Sequence, residues 1–254
     1  MSRKIENGEK RRINTERQQE EDYLTYLWIN PVSERMISEQ NLERILTEHH
    51  LTQVRCCKDW CSSVKKQYEN LMNHANGMVA DARCPEAVNL IERYKEEKGV
   101  PIQVADIEPI LIHCARELSA RSDLADGDKI ITTPCRILAE QGNALELPRT
   151  RFVSWKDFLL ELGERLGPAP ESSPIPPGFF AGLSVPVLSL SGQEEIEEYL
   201  RDEIIQETTG GMLTGTTEAG NRNGKKDTAR AEHSPLLLEL LYCRQGCHMG
   251  DGVR

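Results

Sequence analysis

The sequence predicts an α/β domain built on a parallel sheet, with helices on both faces and a helical N-terminal extension. Short runs of aliphatic and β-branched residues alternate with helical patterns along the middle of the chain, which is typical of βαβ units. Hydrophobic residues make up 38% and charged residues 28% of the 254 residues, as in an ordinary globular protein. A chain of this length can bury a substantial core.

The N-terminal part is predicted to be helical after a charged tail. Residues 1–18 are highly charged, and we expect them to be disordered. A helical pattern runs from Gln19 to Trp28 and is stopped by Pro31. A second helix is predicted from Ser38 to His50, with apolar residues on one face.

Strands and helices then alternate to the end of the chain. Strands are predicted at residues 52–55, 77–82, 100–104, 129–133, 183–190 and 236–242, and helices at 62–74, 86–97, 107–120, after Ser154, and at 193–206. Pro186 predicts an edge or a bulge. Residues 167–182 are predicted to be a linker or long surface loop, and residues 208–232 a mobile loop. We expect an N-terminal lobe at 19–166, and a linker plus C-terminal lobe at 167–254.

The composition excludes several classes of partner. A formal net charge of −10 argues against nucleic acid and against anionic membrane surfaces. We find no apolar run long enough to span a membrane and no secretory signal. Eight cysteines without such a signal indicate a reducing compartment, so we expect a cytoplasmic protein.

Three cysteines stand where predicted strands end. Cys84 follows VADAR, Cys135 follows IITTP and Cys243 follows LLLELLY, while Cys247 lies four residues further on in a turn with Gly246 and Gly250. Ligands of parallel α/β sheets bind outside the carboxyl ends of the strands, so these cysteines could converge. Four thiolates suit a [4Fe–4S] cluster, and they also suit tetrahedral zinc. Spacing alone leaves a third alternative open, which is four ordinary buried thiols.

Three motifs resemble those of a known family. In this order, ARCPEAVNLIERY (82–94), ITTPCRILAE (131–140) and LLELLYCRQGCHMGDGV (237–253) resemble the cluster-binding motifs in the C-terminal domain of the iron-only hydrogenase large subunit, above all those of its divergent, sensor-type members. The connecting segments are similar over about residues 50–253. The resemblance implies a hydrogenase-like fold in which Cys84, Cys135, Cys243 and Cys247 hold a [4Fe–4S] cluster. Cys247 matches the thiolate that also bridges to a two-iron unit.

The sequence departs from the catalytic members of that family. Arg83 stands where they carry a proton-relay cysteine, and Leu138 stands where they carry a lysine that hydrogen-bonds the two-iron unit. Only Thr209-Gly210-Gly211 remains of the glycine-rich segment that wraps this unit, and no ferredoxin-like cysteine run precedes the domain. These departures argue against the two-iron unit and against hydrogen turnover.

Other residues offer weaker sites. Cys56, Cys57 and Cys61 could bind a metal with His49 or His50, but a packing surface is the simpler interpretation. Cys114 is expected in the core, and His113 is expected to be an ordinary, partly exposed side chain. His248 could hydrogen-bond a cluster sulfur or act as a ligand, but it is expected to be exposed to solvent. The acidic run at 194–198 is expected to be a solvated helix face.

Three functions remain open. The first is a cluster-binding, hydrogenase-like protein for redox or oxygen sensing or electron transfer, with a redox or signalling protein as its partner. The second is a working iron-only hydrogenase. The third is a metal-free or zinc-binding interaction scaffold. The sequence does not give the oligomeric state, the potential, or the role of residues 1–50.

Overall fold

The computed structural model describes residues 24–208 and 235–254, with only the backbone at 203–208. The tail predicted at 1–18 lies outside the described residues. So does the loop predicted at 208–232, apart from Thr208, which ends a helix.

The described part of the chain contains eight strands and eight α-helices. The strands are β1 (Thr25–Trp28), β2 (Leu51–Gln53), β3 (Met78–Ala80), β4 (Ile102–Val104), β5 (Asp128–Thr133), β6 (Thr150–Ser154), β7 (Val187–Ser191) and β8 (Leu236–Leu241). The helices are α1 (Pro31–Glu34), α2 (Glu39–Glu48), α3 (Trp60–Met72), α4 (Pro85–Lys98), α5 (Ile110–Ala120), α6 (Arg136–Asn143), α7 (Trp155–Glu161) and α8 (Gln193–Thr208). Short 3₁₀ turns occur at Ser122–Leu124 and Cys247–Met249. No helix among the described residues is long and apolar enough to cross a membrane.

The strands form two parallel sheets. The first has the order β2-β1-β5-β6 and the second has the order β4-β3-β8-β7, with every pair parallel. The predicted α/β class with parallel strands is therefore confirmed, although there are two sheets instead of one. The second sheet takes two strands from each side of residue 166, so the division between the sheets does not coincide with the expected lobe boundary.

Each sheet is covered on both faces. Alternate residues of a strand point to opposite faces, and in the first sheet Tyr26 and Ile131 join a cluster with α5 and α6, while Leu27 and Val153 join another with α1, α2 and α7. The second sheet divides in the same way. One face packs on α4 and α8, and the other packs on α3 and on the fully buried Phe180.

The predicted N-terminal helix is wrong. Thr25–Trp28 form β1, which is hydrogen-bonded on both sides, to β2 and to β5. A short run of apolar residues does not distinguish a helix from a buried strand by periodicity alone. Here threonine and aromatic side chains favour a strand, and complete burial of Leu27 between two layers of helices selects it.

Several other local predictions are confirmed. Ser154 caps α7 by accepting from the N–H of Asp157 at 3.2 Å. Pro186 directly precedes β7, which is an edge strand of the second sheet. The segment 167–182 has no helix or strand, but it is not wholly at the surface, because the Phe180 ring is fully buried and lies 4.5 Å from the Tyr68 ring.

Candidate functional site

Three of the four predicted ligand cysteines follow central strands of the two sheets. Cys84 and Cys243 come after β3 and β8, which are parallel neighbours with Ala80 opposite Leu238. Cys135 comes directly after β5 in the first sheet. Parallel strands end on the same edge of a sheet, so the loops that carry Cys84 and Cys243 leave that edge side by side.

The turn after β8 connects the two sheets. Its Gly252 N–H donates to the Pro134 carbonyl at 3.2 Å. The Asp251 carboxylate accepts from the N–H of Arg136, the first residue of α6, at 3.0 Å. Since Pro134 and Arg136 flank Cys135, these bonds fasten the segment with the last two cysteines onto the loop that carries Cys135.

Two glycines allow this close approach. Gly246 has a φ of +116°, and a Cβ there would lie 2.5 Å from the Ile175 carbonyl oxygen and 2.7 Å from the Ser173 hydroxyl. A Cβ on Gly250 would lie 2.3 Å from the Pro134 carbonyl oxygen. Only glycine fits at either position without moving the turn.

The four thiols lie within electrostatic range of one another. Burial raises the pKa of Cys247 well above its usual value, and the neighbouring thiols of Cys84, Cys135 and Cys243 raise it further. Burial, together with Cys84, Cys243 and Asp251, raises the pKa of Cys135 to about 12. Burial, together with Cys84, Asp251 and Glu86, raises the pKa of Cys243 to about 11. The thiols are therefore neutral near pH 7 in the absence of metal, and binding of a metal centre would release protons.

No three of the four sulfur atoms lie as close together as the ligands of one zinc ion. Among the described side chains, the only three potential ligand atoms that all lie within 4.8 Å of one another belong to Glu48, His49 and Glu164, so no three of the four thiols do so. Tetrahedral zinc, with Zn–S bonds of about 2.3 Å, requires sulfurs about 3.8 Å apart. The four thiols are therefore not arranged around a single zinc ion.

Helix N-termini and backbone N–H groups face two of the cysteines. Cys84 is the N-cap of α4 and Cys135 is the N-cap of α6, and neither helix has a side-chain cap from that residue. The Tyr242 N–H lies 3.5 Å from the Cys84 sulfur, and the Leu138 N–H favours the ionised form of Cys135. N–H groups at a helix start favour anionic sulfur. The surroundings thus supply donors for thiolates or for the sulfides of a cluster.

His248 is buried, and the prediction that it is exposed is wrong. Its residue surface is only 5% exposed, because the turn folds back against the Pro134 loop. Its Nδ1 atom has no hydrogen-bond partner. An unpaired buried ring nitrogen is costly. A bound centre next to Cys247 would offer this atom a partner.

A buried ion-pair network adjoins Cys84. The Arg83 guanidinium contacts the Asp81 carboxylate at 2.7 Å and the Glu239 carboxylate at 2.9 Å. Both carboxylates are completely buried, and the Arg83 side chain is only 6% exposed. The Tyr68 hydroxyl donates to Asp81 at 3.0 Å. Arg83 is therefore held in a structural network.

The same network holds the proline-rich segment against the site. The Gly178 and Phe179 N–H groups donate to Glu239 at 2.9 and 2.7 Å. The Arg83 guanidinium lies 4.1 Å from the Phe179 ring and 4.4 Å from the Phe180 ring. Guanidinium groups stack favourably on aromatic faces. Residues 173–180 therefore form a fixed wall beside Cys84.

Leu138 is the second residue that departs from the catalytic members of the resembled family. Its side chain is buried among Ile112, Ala139 and Phe152 in the hydrophobic core of the first sheet. It offers no donor or acceptor. The position that carries a lysine in catalytic members of the resembled family is part of the core here.

The weaker candidates do not assemble into a metal site. No three of Cys56, Cys57, Cys61, His49 and His50 appear among the described atoms that lie within 4.8 Å of one another. Cys57 and Cys61 are exposed, and Cys114 is buried in the core as predicted. His113 is half-buried and stacks on Trp60, with ring centroids 4.8 Å apart.

The Arg44 guanidinium already occupies the group formed by Glu48, His49 and Glu164. Arg44 contacts Glu164 at 2.7 Å and also pairs with Glu48, so the carboxylates neutralise a guanidinium. Three side chains at this exposed place are satisfied without a metal.

Comparison with known proteins gives no family assignment. No protein-family model matches the chain, and no curated protein and no solved structure matches it. The hydrogenase resemblance and the four-cysteine ligand set therefore stay predictions that rest on the three motifs and on the geometry above.

Sequence reasoning missed the charged partners of Arg83. Glu239 is a charge within the apolar run LLLELLY, and such a residue is almost never fully buried unless it is paired. That pattern could have indicated a buried cation elsewhere. The identity of the cation could not be read from the sequence, since Arg83 and Glu239 are 156 positions apart.

Proposed function

We propose that the chain binds a [4Fe–4S] cluster on Cys84, Cys135, Cys243 and Cys247. The observation that carries the proposal is the meeting of four thiols from three strand ends, all within electrostatic range of one another. No three of these thiols lie within 4.8 Å of one another, which argues against one zinc ion in this arrangement. The unpaired Nδ1 of His248 gives independent support.

The residues of the chain would act on the cluster in three ways. The thiolates would anchor it, and the N–H groups at the starts of α4 and α6 would stabilise its negative charge. The wall at 173–180 would limit the access of water. A bound cluster supplies one-electron redox chemistry.

We propose redox or oxygen sensing, or electron transfer, as the role of the site, instead of hydrogen turnover. Arg83 is held by two buried carboxylates, so it is not available as a proton relay. Leu138 is an apolar core residue. A redox or signalling protein is the partner that this function requires, and eight unpaired cysteines agree with a cytoplasmic location.

Reduction and reoxidation of the reconstituted protein test this role. We expect dithionite to produce a reduced-state EPR signal that air-free reoxidation removes over repeated cycles, with no hydrogen evolved from reduced dye. The control is the Cys57→Ser variant, whose exposed thiol lies outside the site. Hydrogen evolution after treatment with the two-iron unit would instead establish an active hydrogenase. A colourless protein with one zinc and no sulfide would establish a scaffold.

A further inference from the structure

A second pair of cysteines lies outside the four-cysteine site. Cys56 follows β2 and is half-buried, and Cys114 lies in the middle of α5 and is buried. Each thiol shifts the pKa of the other, so the two side chains are close neighbours. Cys56 also packs against the hydrophobic cluster to which α5 contributes Leu111, Ile112, Ala115 and Leu118. Both are free thiols, so this contact joins two groups that could become a disulfide.

The backbone around Cys56 is fixed onto α5 by a single carboxylate. Glu117 accepts from the Cys57 N–H at 2.5 Å, from the Lys58 N–H at 3.3 Å and from the Trp60 indole N–H at 2.7 Å. All three donors come directly after Cys56 in the chain. The carboxylate therefore holds the Cys56 loop against one place on the helix.

Two further contacts hold the loop on the same side of α5. The Trp60 ring stacks on the His113 ring at an interplanar angle of 9°. The Arg121 guanidinium donates to the Arg55 carbonyl at 2.8 Å. Residues 113 and 117 are at i and i+4 and share a helix face, and Arg121 follows the last residue of α5. Cys114 is adjacent to this face, which explains why Cys56 meets it.

The two thiols are electrostatically unequal. The Cys114 S–H lowers the pKa of Cys56, and the Trp28 side chain and Arg121 lower it further, against the effects of burial and Glu117. The neighbouring Cys56 thiol raises the pKa of Cys114, as does burial. Cys56 is therefore the better nucleophile and Cys114 is the buried partner.

We propose that Cys56 and Cys114 are a redox-active thiol pair that closes to an intramolecular disulfide on oxidation by a peroxide. The Cys56 sulfur attacks one peroxide oxygen, the O–O bond breaks, and one water leaves with the Cys56 proton. The Cys114 sulfur then attacks the Cys56 sulfenic acid, the S–O bond breaks, and a second water leaves with the Cys114 proton. Two thiols and one hydrogen peroxide thus give one disulfide and two waters.

The pair borders the same core as one of the proposed cluster ligands. Cys56, Trp28 and Cys135 all pack against the hydrophobic cluster that α5 and α6 form on the first sheet. A disulfide has an S–S bond of about 2.05 Å, so closing it draws the Cys56 loop and α5 together. The chemistry does not depend on the cluster, because neither sulfur belongs to the four-cysteine site.

Peptide mapping of the oxidised full-length chain tests the proposal. The reduced protein would be treated with one equivalent of hydrogen peroxide, blocked with N-ethylmaleimide and digested with trypsin without reductant. We expect residues 56–58 to be linked to residues 99–116, with a mass two hydrogen atoms below the sum of the two peptides. Dithiothreitol should restore both free thiols.

Matched variants decide which sulfurs are joined. The link should persist in Cys57→Ser, which removes the neighbouring exposed thiol, and should disappear in Cys56→Ser. It should form equally in Cys84→Ser, which removes a proposed cluster ligand, so failure of the cluster proposal would leave this result unchanged. A link that joins Cys57 to Cys61, or no link in a chain whose circular dichroism is unchanged, would overturn the proposal.

Discussion

Replacing Arg83 by methionine tests the buried network beside the proposed cluster. The change removes contacts of 2.7 Å to Asp81 and 2.9 Å to Glu239, and it leaves two completely buried carboxylates without a cation. Breaking one side of a buried ion pair costs about 3–5 kcal/mol. Glu239 keeps two N–H donors and the Ser189 hydroxyl at 2.7 Å. We therefore expect the free energy of unfolding to fall by about 3 kcal/mol, at the lower end of that range.

Urea unfolding of the metal-free protein measures this loss. With a slope of about 2–3 kcal/mol/M, the midpoint should fall by roughly 1–1.5 M. The control is Arg93→Met, which breaks a surface pair to Glu197 at 3.3 Å and should cost less than about 1 kcal/mol. Protonation relieves an uncompensated buried charge, so the Arg83→Met deficit should shrink at acidic pH. Equal midpoints for the two variants would refute the reasoning.

Three further predictions concern the same region. Gly246→Ala should lower the free energy of unfolding by about 1–3 kcal/mol, measured by urea unfolding, because the new Cβ would meet Ile175 and Ser173. The loss should exceed that of Gly163→Ala, where nothing lies within 4 Å of the new Cβ, and equal losses would contradict this prediction. Phe180→Ala should lower the free energy of unfolding by about 3–5 kcal/mol in the same assay, because the ring is fully buried against Tyr68. A loss below about 1 kcal/mol would show that the segment 167–182 is loosely held. The pKa values of Cys135 and Cys243 are raised from 9.0 to about 12 and about 11, so the metal-free protein should lose stability as the pH rises from about 9, by at most about 1.4 kcal/mol per thiol and pH unit. The variant with both cysteines replaced by serine should lose stability less steeply with pH. An equally steep loss in that variant would contradict the assignment of the two pKa values.

The sign of that pH dependence follows from the direction of the shifts. Below pH 9 these thiols are neutral in both the folded and the unfolded chain, so they contribute fully to stability. Above it, the unfolded thiols ionise while the folded ones stay protonated, and the unfolded state is favoured. Binding of metal requires the thiolate form, so loading should become easier over the same range.

Local sequence patterns predicted the secondary structure where a helix cap or a long helical repeat of apolar residues was present. The helix after Ser154 and the helix from Gln193 begin where expected. Thr25–Trp28 were misassigned, because the four residues fit a helical face as well as a strand. Only pairing with β2 and β5, which the sequence does not reveal, decides between them.

The arrangement of the strands depends on contacts between distant residues. β1 lies between β2 and β5, and β3 lies between β4 and β8, so each sheet combines strands that are far apart in the chain. Alternation of strands and helices predicts parallel pairing, but it does not predict how many sheets form.

The candidate site was predictable where it depends on strand ends. Cys84, Cys135 and Cys243 follow strands in the structure as the sequence indicated. The burial of His248 and the pairing of Arg83 with Glu239 were not predictable, since both depend on how the last turn and the second sheet fold together. Burial of a polar side chain is decided by its tertiary partners.

Iron and sulfide counts on the anaerobically reconstituted protein test the central claim most directly. The parent chain would be compared with Cys84→Ser and Cys243→Ser, and with Cys57→Ser as the control for loss of an exposed thiol. We expect about four irons and four sulfides per chain in the parent and in Cys57→Ser, and a loss of both in the other two variants. An iron-free parent, with Cys84→Ser and Cys243→Ser as stable as the parent, would contradict the cluster assignment.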